Sequence, residues 1–265
     1  MRKFGVFCME NEKKRNIILV VILAIVIIAA VIVGFLVFNS FFNNNIDPGK
    51  NTEPETVTIT EKDDSYKYAK NPIDFKSLHK TNKEIFGWIK VPGTNVDHPL
   101  LQSQERDDFY LDKNIYKNYS FAGSIYAEYC NDTDMIDRVT VLYGHNMAGG
   151  QMFSTLHRFE DKDFFDKHKY FYIYTEDRKL TYQIVSAYNY DDRHIMNSFN
   201  FAEDEVFEEY LSYIQNPRSI VKNVRKKLDH KLNINDRIVT LSTCVNYGNG
   251  RYLVQGVLIK DELTK

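Results

Sequence analysis

Residues 237–251 read RIVTLSTCVNYGNGR, and this stretch carries the strongest structural signal in the chain. Its first seven residues are rich in β-branched and apolar side chains, which is typical of a β-strand. The strand ends at Cys244, a short segment with two glycines follows, and Arg251 opens a second strand-like run. Because so short a connection joins neighbouring strands, the sequence predicts that Arg251 lies beside Cys244 at one rim of a sheet. A buried structural cysteine and a surface arginine remain the alternative on these residues alone.

Strand-like runs dominate the rest of the folded region. Each is rich in β-branched or aromatic residues and is bounded by turn-forming residues. Together with 237–243 and 251–260, the runs are 87–91, 98–102, 123–128, 138–145, 170–175 and 179–190. Eight strands and few helices favour a closed or nearly closed β-barrel, because closure removes exposed strand edges.

Helical patterns are fewer. A short helix is predicted at 73–79, with Asn82 capping a second turn that leads into the first strand. A longer helix is predicted at 201–215, where the acidic first turn complements the helix dipole and Pro217 marks the end. Its apolar residues fall on one helical face. They are Val206, Phe207, Tyr210, Leu211 and Ile214.

The N-terminal region predicts a membrane anchor. Residues 17–38 read IILVVILAIVIIAAVIVGFLVF without a charge, and about 20 apolar residues cross a hydrocarbon core of about 30 Å. The run is too long for the apolar part of a signal peptide and for an ordinary buried helix. Basic residues at 13–15 keep residues 1–16 in the cytoplasm by the positive-inside rule. We therefore expect a single-pass cell-membrane protein with a stalk at 39–70 and one extracellular catalytic domain at 71–265.

Charge and cysteine content narrow the classes of function. The net charge of the 265 residues is only −2, so no strong field argues for a nucleic-acid partner. Cys8 lies on the cytoplasmic side of the predicted anchor, which leaves Cys130 and Cys244 outside. A disulfide between them is one interpretation. A domain of about 200 residues buries enough core without a disulfide, which favours a working thiol.

A second motif supplies the partner that such a thiol needs. Residues 139–153 read VTVLYGHNMAGGQMF, so that a strand run ends at Gly144–His145 before a glycine-rich loop. A free thiol has a pKa of about 8.5 and is mostly protonated at pH 7. An adjacent imidazole exchanges the proton, and a guanidinium stabilises the oxyanion of a tetrahedral intermediate. A lone histidine at a strand end is otherwise usually a surface residue.

At these residues the sequence resembles the sortases. TLSTC at 240–244, followed by Arg251, resembles the TLxTC…R signature of that family, and GHNMAGGQMF at 144–153 resembles the histidine motif of class B members. GWIKVPGTNVDHPLLQS at 87–103 resembles their early barrel strands. The predicted helix at 201–215 lies where class B members insert one between strands six and seven. The resemblance covers residues 71–260.

The resemblance implies a mainly β fold, an eight-stranded sortase barrel with short N-terminal helices. It implies that Cys244, His145 and Arg251 form the catalytic triad of a cysteine transpeptidase. Such an enzyme cleaves after threonine in a C-terminal pentapeptide signal, NPQTN-like or (S/P)PxTG-like, of a secreted protein. It then transfers the acyl group to an amine of a peptidoglycan precursor, and the expected source is a Gram-positive bacterium.

The resemblance also bears on the peptide groove and on cofactors. Leu111 and Ser242 are implied to line the groove, and Thr243 is expected to contact the peptide because it precedes the nucleophile. We expect no cofactor and no metal. Some class B members carry an acidic residue shortly after the cysteine, whereas Val245–Asn246 stands here.

Other interpretations stay open at this point. An L,D-transpeptidase has arginine two residues after cysteine, and a papain-like protease has a CGSCW-like segment, and neither pattern matches this chain. A membrane-tethered β-barrel binding or adhesion protein, or an inactive relative, is the alternative of another class. Trp88, Phe86 and Tyr143 are expected in the core. His157, His168 and His194 are expected on the surface.

Overall fold

Nine β-strands run through the part of the chain that the computed structural model describes, residues 68–246 and 249–265. They are β1 (Ile85–Lys90), β2 (Asp97–Leu101), β3 (Ile125–Ala127), β4 (Val139–Tyr143), β5 (Tyr170–Tyr174), β6 (Arg178–Tyr190), β7 (Lys222–Val224), β8 (Ile238–Cys244) and β9 (Arg251–Leu263). The predicted cytoplasmic segment, the anchor at 17–38 and nearly all of the stalk lie outside the described residues. Within the described ranges, no helix is both long enough and apolar enough to cross a bilayer.

The strands form one sheet in the order β5-β1-β2-β3-β4-β8-β9-β6-β7. Because β5 also pairs with β6, eight strands close into a barrel and β7 is added outside the ring. The predicted eight-stranded barrel is therefore confirmed. The sequence did not predict β7, whose three residues Lys222–Val224 are too few to show a periodic pattern.

In the described part of the chain, four short α-helices and two 3-10 helices accompany the barrel. The α-helices are α1 (Phe75–Thr81), α2 (Lys162–Lys167), α3 (Ile195–Ser198) and α4 (Asp204–Gln215), and the 3-10 helices span Phe109–Leu111 and Ser154–Glu160. The predicted helix at 201–215 is confirmed as α4, which begins at Asp204 because Glu203 is its N-cap residue. It lies between β6 and β7, and therefore between β6 and β8, the sixth and seventh strands of the barrel ring, as expected.

The predicted second turn is present at residues 83–84, between α1 and β1. Asn82 closes α1 as its C-cap residue, with its backbone N–H donating to the carbonyl of Leu78. Its side-chain amide donates to the Tyr110 hydroxyl at 2.7 Å and to the Ile115 carbonyl at 3.0 Å. Oδ1 of Asn82 accepts from the Glu84 N–H at 2.9 Å, and its carbonyl accepts from the Ile85 N–H at 3.3 Å, so Asn82 caps one turn that leads into β1.

Strand β8, which ends at Cys244, is buried on both faces. Val239 and Leu241 belong to the cluster that fills the barrel. Ile238 faces the opposite way, into a second cluster that includes Phe207 and Leu211 of α4. Because a slip of one residue would exchange the two faces of the strand, its register is strongly specified.

Candidate active site

The predicted neighbours Cys244 and Arg251 are direct partners across β8 and β9. Nη1 of Arg251 lies 3.6 Å from Sγ of Cys244 and 3.3 Å from the carbonyl oxygen of Gly250. Cys244 is exposed, although the six preceding residues of β8 are buried. The pairing therefore presents a solvent-accessible sulfur beside a guanidinium at the rim of the barrel, as the short connection predicts.

His145 reaches the same rim from the other side of β8. Strands β4 and β8 are parallel neighbours with Tyr143 opposite Ser242, and the Gly144 N–H continues the pairing by donating to the Ser242 carbonyl at 3.1 Å. His145 is two residues beyond Tyr143, as Cys244 is two beyond Ser242, so the register brings the two residues to the same level on adjacent strands. The structure thus brings His145, Cys244 and Arg251 to one rim.

A backbone carbonyl orients the His145 ring. Its Nε2 lies 2.8 Å from the carbonyl oxygen of Leu111, in the 3-10 helix between β2 and β3. A carbonyl only accepts, so Nε2 carries a hydrogen in this contact. Nδ1 is therefore the ring nitrogen that this contact leaves open.

A small cleft lies at Arg251. Its lining consists of Tyr143, Asp192, Arg193, His194, Ile195, Ser242 and Arg251. Ser242 is therefore part of the cleft lining. Leu111 is 40% exposed and touches His145 through its carbonyl. Thr243 does not reach the cleft, because side chains alternate along a strand and it faces away from Cys244. It is 2% exposed, and its hydroxyl has no hydrogen-bond partner among the described residues.

One wall of the cleft is held by a carboxylate and an imidazole. Nε2 of His194 contacts Oε1 of Glu128 just beyond β3, and Nδ1 of His194 accepts from the Asn197 N–H at 3.2 Å to cap α3. The residues between β6 and α3 are thus tied to the end of β3. The sequence did not predict this contact, because 66 positions separate the two side chains.

Cys130, the other cysteine that is predicted to lie outside the cell, is chemically different from Cys244. Both cysteines are free, so the alternative of a disulfide between them is wrong. Burial and the carboxylate of Glu128, whose Oε2 lies 3.8 Å from Sγ, raise the pKa of Cys130 to about 11. Cys130 therefore stays protonated and unreactive at neutral pH.

His157 is not the surface residue that the sequence predicts. Its side chain is only 10% exposed, and its ring stacks on Tyr252 with 4.7 Å between centroids. Nε2 lies 2.9 Å from the carbonyl oxygen of Cys244, and Nδ1 lies 2.6 Å from Oε1 of Glu160. The spacing of His157 and Glu160, three residues apart in one helical turn, is the sequence signal that could have identified the pair.

Comparison with known proteins agrees with this geometry. A family model described as Sortase domain matches residues 89–259. The chain is 34% identical over 189 residues to sortase B of Listeria monocytogenes, which covers 70% of this chain and 74% of that relative. The chain belongs to the class B sortases. Since sortases are cysteine transpeptidases, this sortase is a cysteine transpeptidase of surface-protein anchoring, and the other cysteine-enzyme and adhesin interpretations are set aside.

Solved structures agree with the fold. The X-ray structure of Clostridium perfringens sortase B is 36% identical with a TM-score of 0.63, covering 71% of this sortase and all 100% of that chain. A Staphylococcus aureus sortase B–substrate complex is 30% identical with a TM-score of 0.61, covering 70% of this sortase and 86% of that chain.

Proposed function

We propose that this sortase cleaves secreted proteins after the threonine of a C-terminal pentapeptide signal that is NPQTN-like or (S/P)PxTG-like. In this proposal Cys244 is the nucleophile, His145 its proton partner and Arg251 the cation at the oxyanion. The observation that carries the proposal is the 3.6 Å contact between the Arg251 guanidinium and the Cys244 sulfur. A fixed cation beside a nucleophile is the arrangement that stabilises the oxyanion of acyl transfer.

The proposed reaction has two halves. The Cys244 thiolate attacks the threonine carbonyl, Arg251 binds the resulting oxyanion, and imidazolium His145 gives its proton to the departing amine as the C–N bond breaks. The product is a thioester on Cys244. An amine of a peptidoglycan precursor then attacks the thioester, loses a proton to neutral His145, and releases the cysteine as a new amide forms.

The protonation states limit the rate of this reaction. Attack needs a thiolate on Cys244 and a proton on His145 at the same time, so only molecules in which both states coincide are competent. We therefore expect slow turnover, far below thousands per second.

A peptide screen tests the proposed activity. The full-length chain in detergent micelles is incubated with fluorogenic pentapeptides of both signal types, with and without a primary amine. The expected result is cleavage after threonine, a Cys244 thioester detected by mass spectrometry, and an amide product when the amine is present. Matched peptides with alanine in place of the threonine serve as controls. Cleavage of the control peptides at the same rate, or turnover without any thioester on Cys244, contradicts the proposal.

We also propose that residues 17–38 anchor this sortase in the cell membrane, with the catalytic domain outside. The support is the uncharged apolar run and the basic residues that precede it. Protease added to intact cells should remove the domain at 71–265 and spare an N-terminal fragment. A domain that is protected in intact cells and digested only after lysis contradicts this orientation.

A further inference from the structure

The backbone pairing between β4 and β8 stops one step short of the nucleophile. The last bond between them runs from the Gly144 N–H to the carbonyl of Ser242. In a parallel pair the next carbonyl on that edge belongs to Cys244, two residues along. Its donors are instead the side chains of Asn146, at 3.2 Å, and His157, at 2.9 Å. Two side chains thus replace the backbone hydrogen bonds between β4 and β8 at Cys244, the residue that carries the sulfur.

His157 is the better positioned of these two donors. Asn146 also turns its side-chain amide nitrogen toward Oδ1 of Asn246, at 3.0 Å. The His157 ring is fixed on three sides, since Tyr252 stacks on its face, Glu160 contacts Nδ1 and the Cys244 carbonyl contacts Nε2. Because both ring nitrogens face oxygen acceptors, the ring has one possible orientation in this site.

We propose that His157 is a positioning residue for transpeptidation, which holds the Cys244 carbonyl so that the sulfur stays beside Arg251 and level with His145. This role rests on the proposed function, in which Cys244 attacks the peptide. Glu160 acts through His157 by fixing its ring. Neither residue contacts the reacting atoms, and both act through the backbone of the nucleophile.

The location of Cys244 makes such a contact important for the rate. Cys244 is the last residue of β8, and the next backbone bond, from the Val245 N–H to the Gly250 carbonyl, is long at 3.3 Å. Without the donor, the peptide after Cys244 rotates more freely and the sulfur moves with it. A displacement of about 1 Å at a reacting atom costs on the order of 100-fold in rate.

Two substitutions of His157 separate hydrogen bonding from packing. His157→Phe keeps a ring to stack on Tyr252 and removes both ring nitrogens. His157→Gln loses the ring but returns an amide donor close to the place of Nε2. His168→Phe is the matched control, because His168 also stacks on an aromatic ring (Phe164, 3.9 Å) and contacts a backbone carbonyl away from Cys244.

The test measures the rate constant of thioester formation, the KM for the sorting peptide and the thermal midpoint of the full-length chain. For His157→Phe we expect a loss of about tenfold or more in the rate constant, with KM unchanged within about twofold. His157→Gln should recover much of the loss, and His168→Phe should behave as wild type. A wild-type rate constant in His157→Phe overturns the proposal, as does a His157→Gln enzyme that is folded and no faster than His157→Phe.

A second measurement keeps the inference separate from the proposed function. The ¹³C resonance of the Cys244 carbonyl in the peptide-free chain should move upfield in His157→Phe and stay unchanged in His168→Phe. A resonance that does not move shows that the contact is absent and overturns the inference. If the wild-type chain forms no thioester with any sorting peptide, the proposed function fails, whereas the resonance still decides the contact.

Should His157→Phe not fold, Glu160→Gln is the second variant, because it removes the charge behind the ring. This variant should also slow thioester formation, and an unchanged rate would overturn the role of His157.

Discussion

Arg251 and Cys244 are opposite each other in the β8–β9 pair, and the guanidinium Nη1 of Arg251 lies 3.6 Å from the sulfur. The backbone pairing, and not a long flexible reach, holds the cation at the nucleophile. Both strands continue into the core of the barrel, so the contact is fixed by buried residues such as Leu241 and Val254.

Replacement of Arg251 by lysine should remove most of the activity. Lysine keeps the positive charge but lacks the planar fork that donates to the sulfur and to an oxyanion together. We expect the kcat/KM for the sorting peptide to fall on the order of 100-fold, the loss typical of a missing oxyanion donor. The control is Arg237→Lys, because Arg237 pairs with Asp261 before the start of β8. Wild-type rates in Arg251→Lys would remove Arg251 from the mechanism.

Cys244→Ala should abolish thioester formation and leave the thermal midpoint nearly unchanged, since Cys244 is exposed. In this variant Cys130 is the remaining thiol of the described residues. Because its pKa is raised to about 11, the thiolate fraction rises as pH approaches that value, and iodoacetamide labelling should increase about tenfold per pH unit from pH 7 to 10. Labelling of Cys130 that levels off below pH 9 would show that burial and Glu128 do not hold its proton.

His145→Ala should lower the rate constant of thioester formation by about 100- to 10,000-fold, the usual contribution of a positioned acid–base group. His79→Ala is the matched control, since Nε2 of His79 also contacts a backbone carbonyl, that of Ile85, at 2.9 Å on another part of the barrel. Both variants lose the same kind of hydrogen bond. A similar fall in rate for the two would assign the effect to stability and not to proton transfer.

Glu128→Ala should weaken peptide binding. Without the carboxylate, His194 loses the contact that ties the residues before α3 to the end of β3, so the cleft wall beside Arg251 loosens. We expect a KM several-fold higher than wild type with a smaller change in kcat. Glu128→Gln keeps an oxygen acceptor for Nε2 of His194 and should retain a KM close to wild type. Equal KM values for wild type and Glu128→Ala would show that the tie does not shape the cleft.

Much of the barrel could be predicted from sequence because its strands are long and regular. The run at 179–190 agrees with β6 to within one residue, and the run at 251–260 agrees with the start of β9. Two of the short elements were missed: β7 and α3 have three and four residues, and so few positions do not show a period. The turn at Asn82 was predicted because its side chain caps the turn locally, through the Glu84 N–H. Its contacts to Tyr110 and Ile115 depend on the tertiary structure.

The residues of the candidate site also divide into those that the sequence predicts and those that only the tertiary structure locates. Thr243 is expected to contact the peptide from its place next to Cys244 in sequence. In the structure neighbours along a strand face opposite ways, and of these two residues before Cys244, Ser242 and not Thr243 is part of the cleft lining. His157 was placed on the surface because its burial depends on Tyr252, which is far away in sequence. The catalytic roles of Cys244, His145 and Arg251 stay predictions that the experiments above test.

The sequence alone determined the strand that ends at Cys244 and the neighbouring strand that begins at Arg251. It also determined that these strands belong to a β-barrel. Short connections and alternating side chains are local properties of the chain, so they can be seen in the sequence. Only the tertiary structure decided that His145 arrives at the same rim and that His157 and Asn146 donate to the Cys244 carbonyl. The physical reason is that β4 and β8 pair in parallel although they are far apart in sequence, with Val139 opposite Ile238. Such a pairing is selected by burial on both faces of the sheet, which no local pattern records.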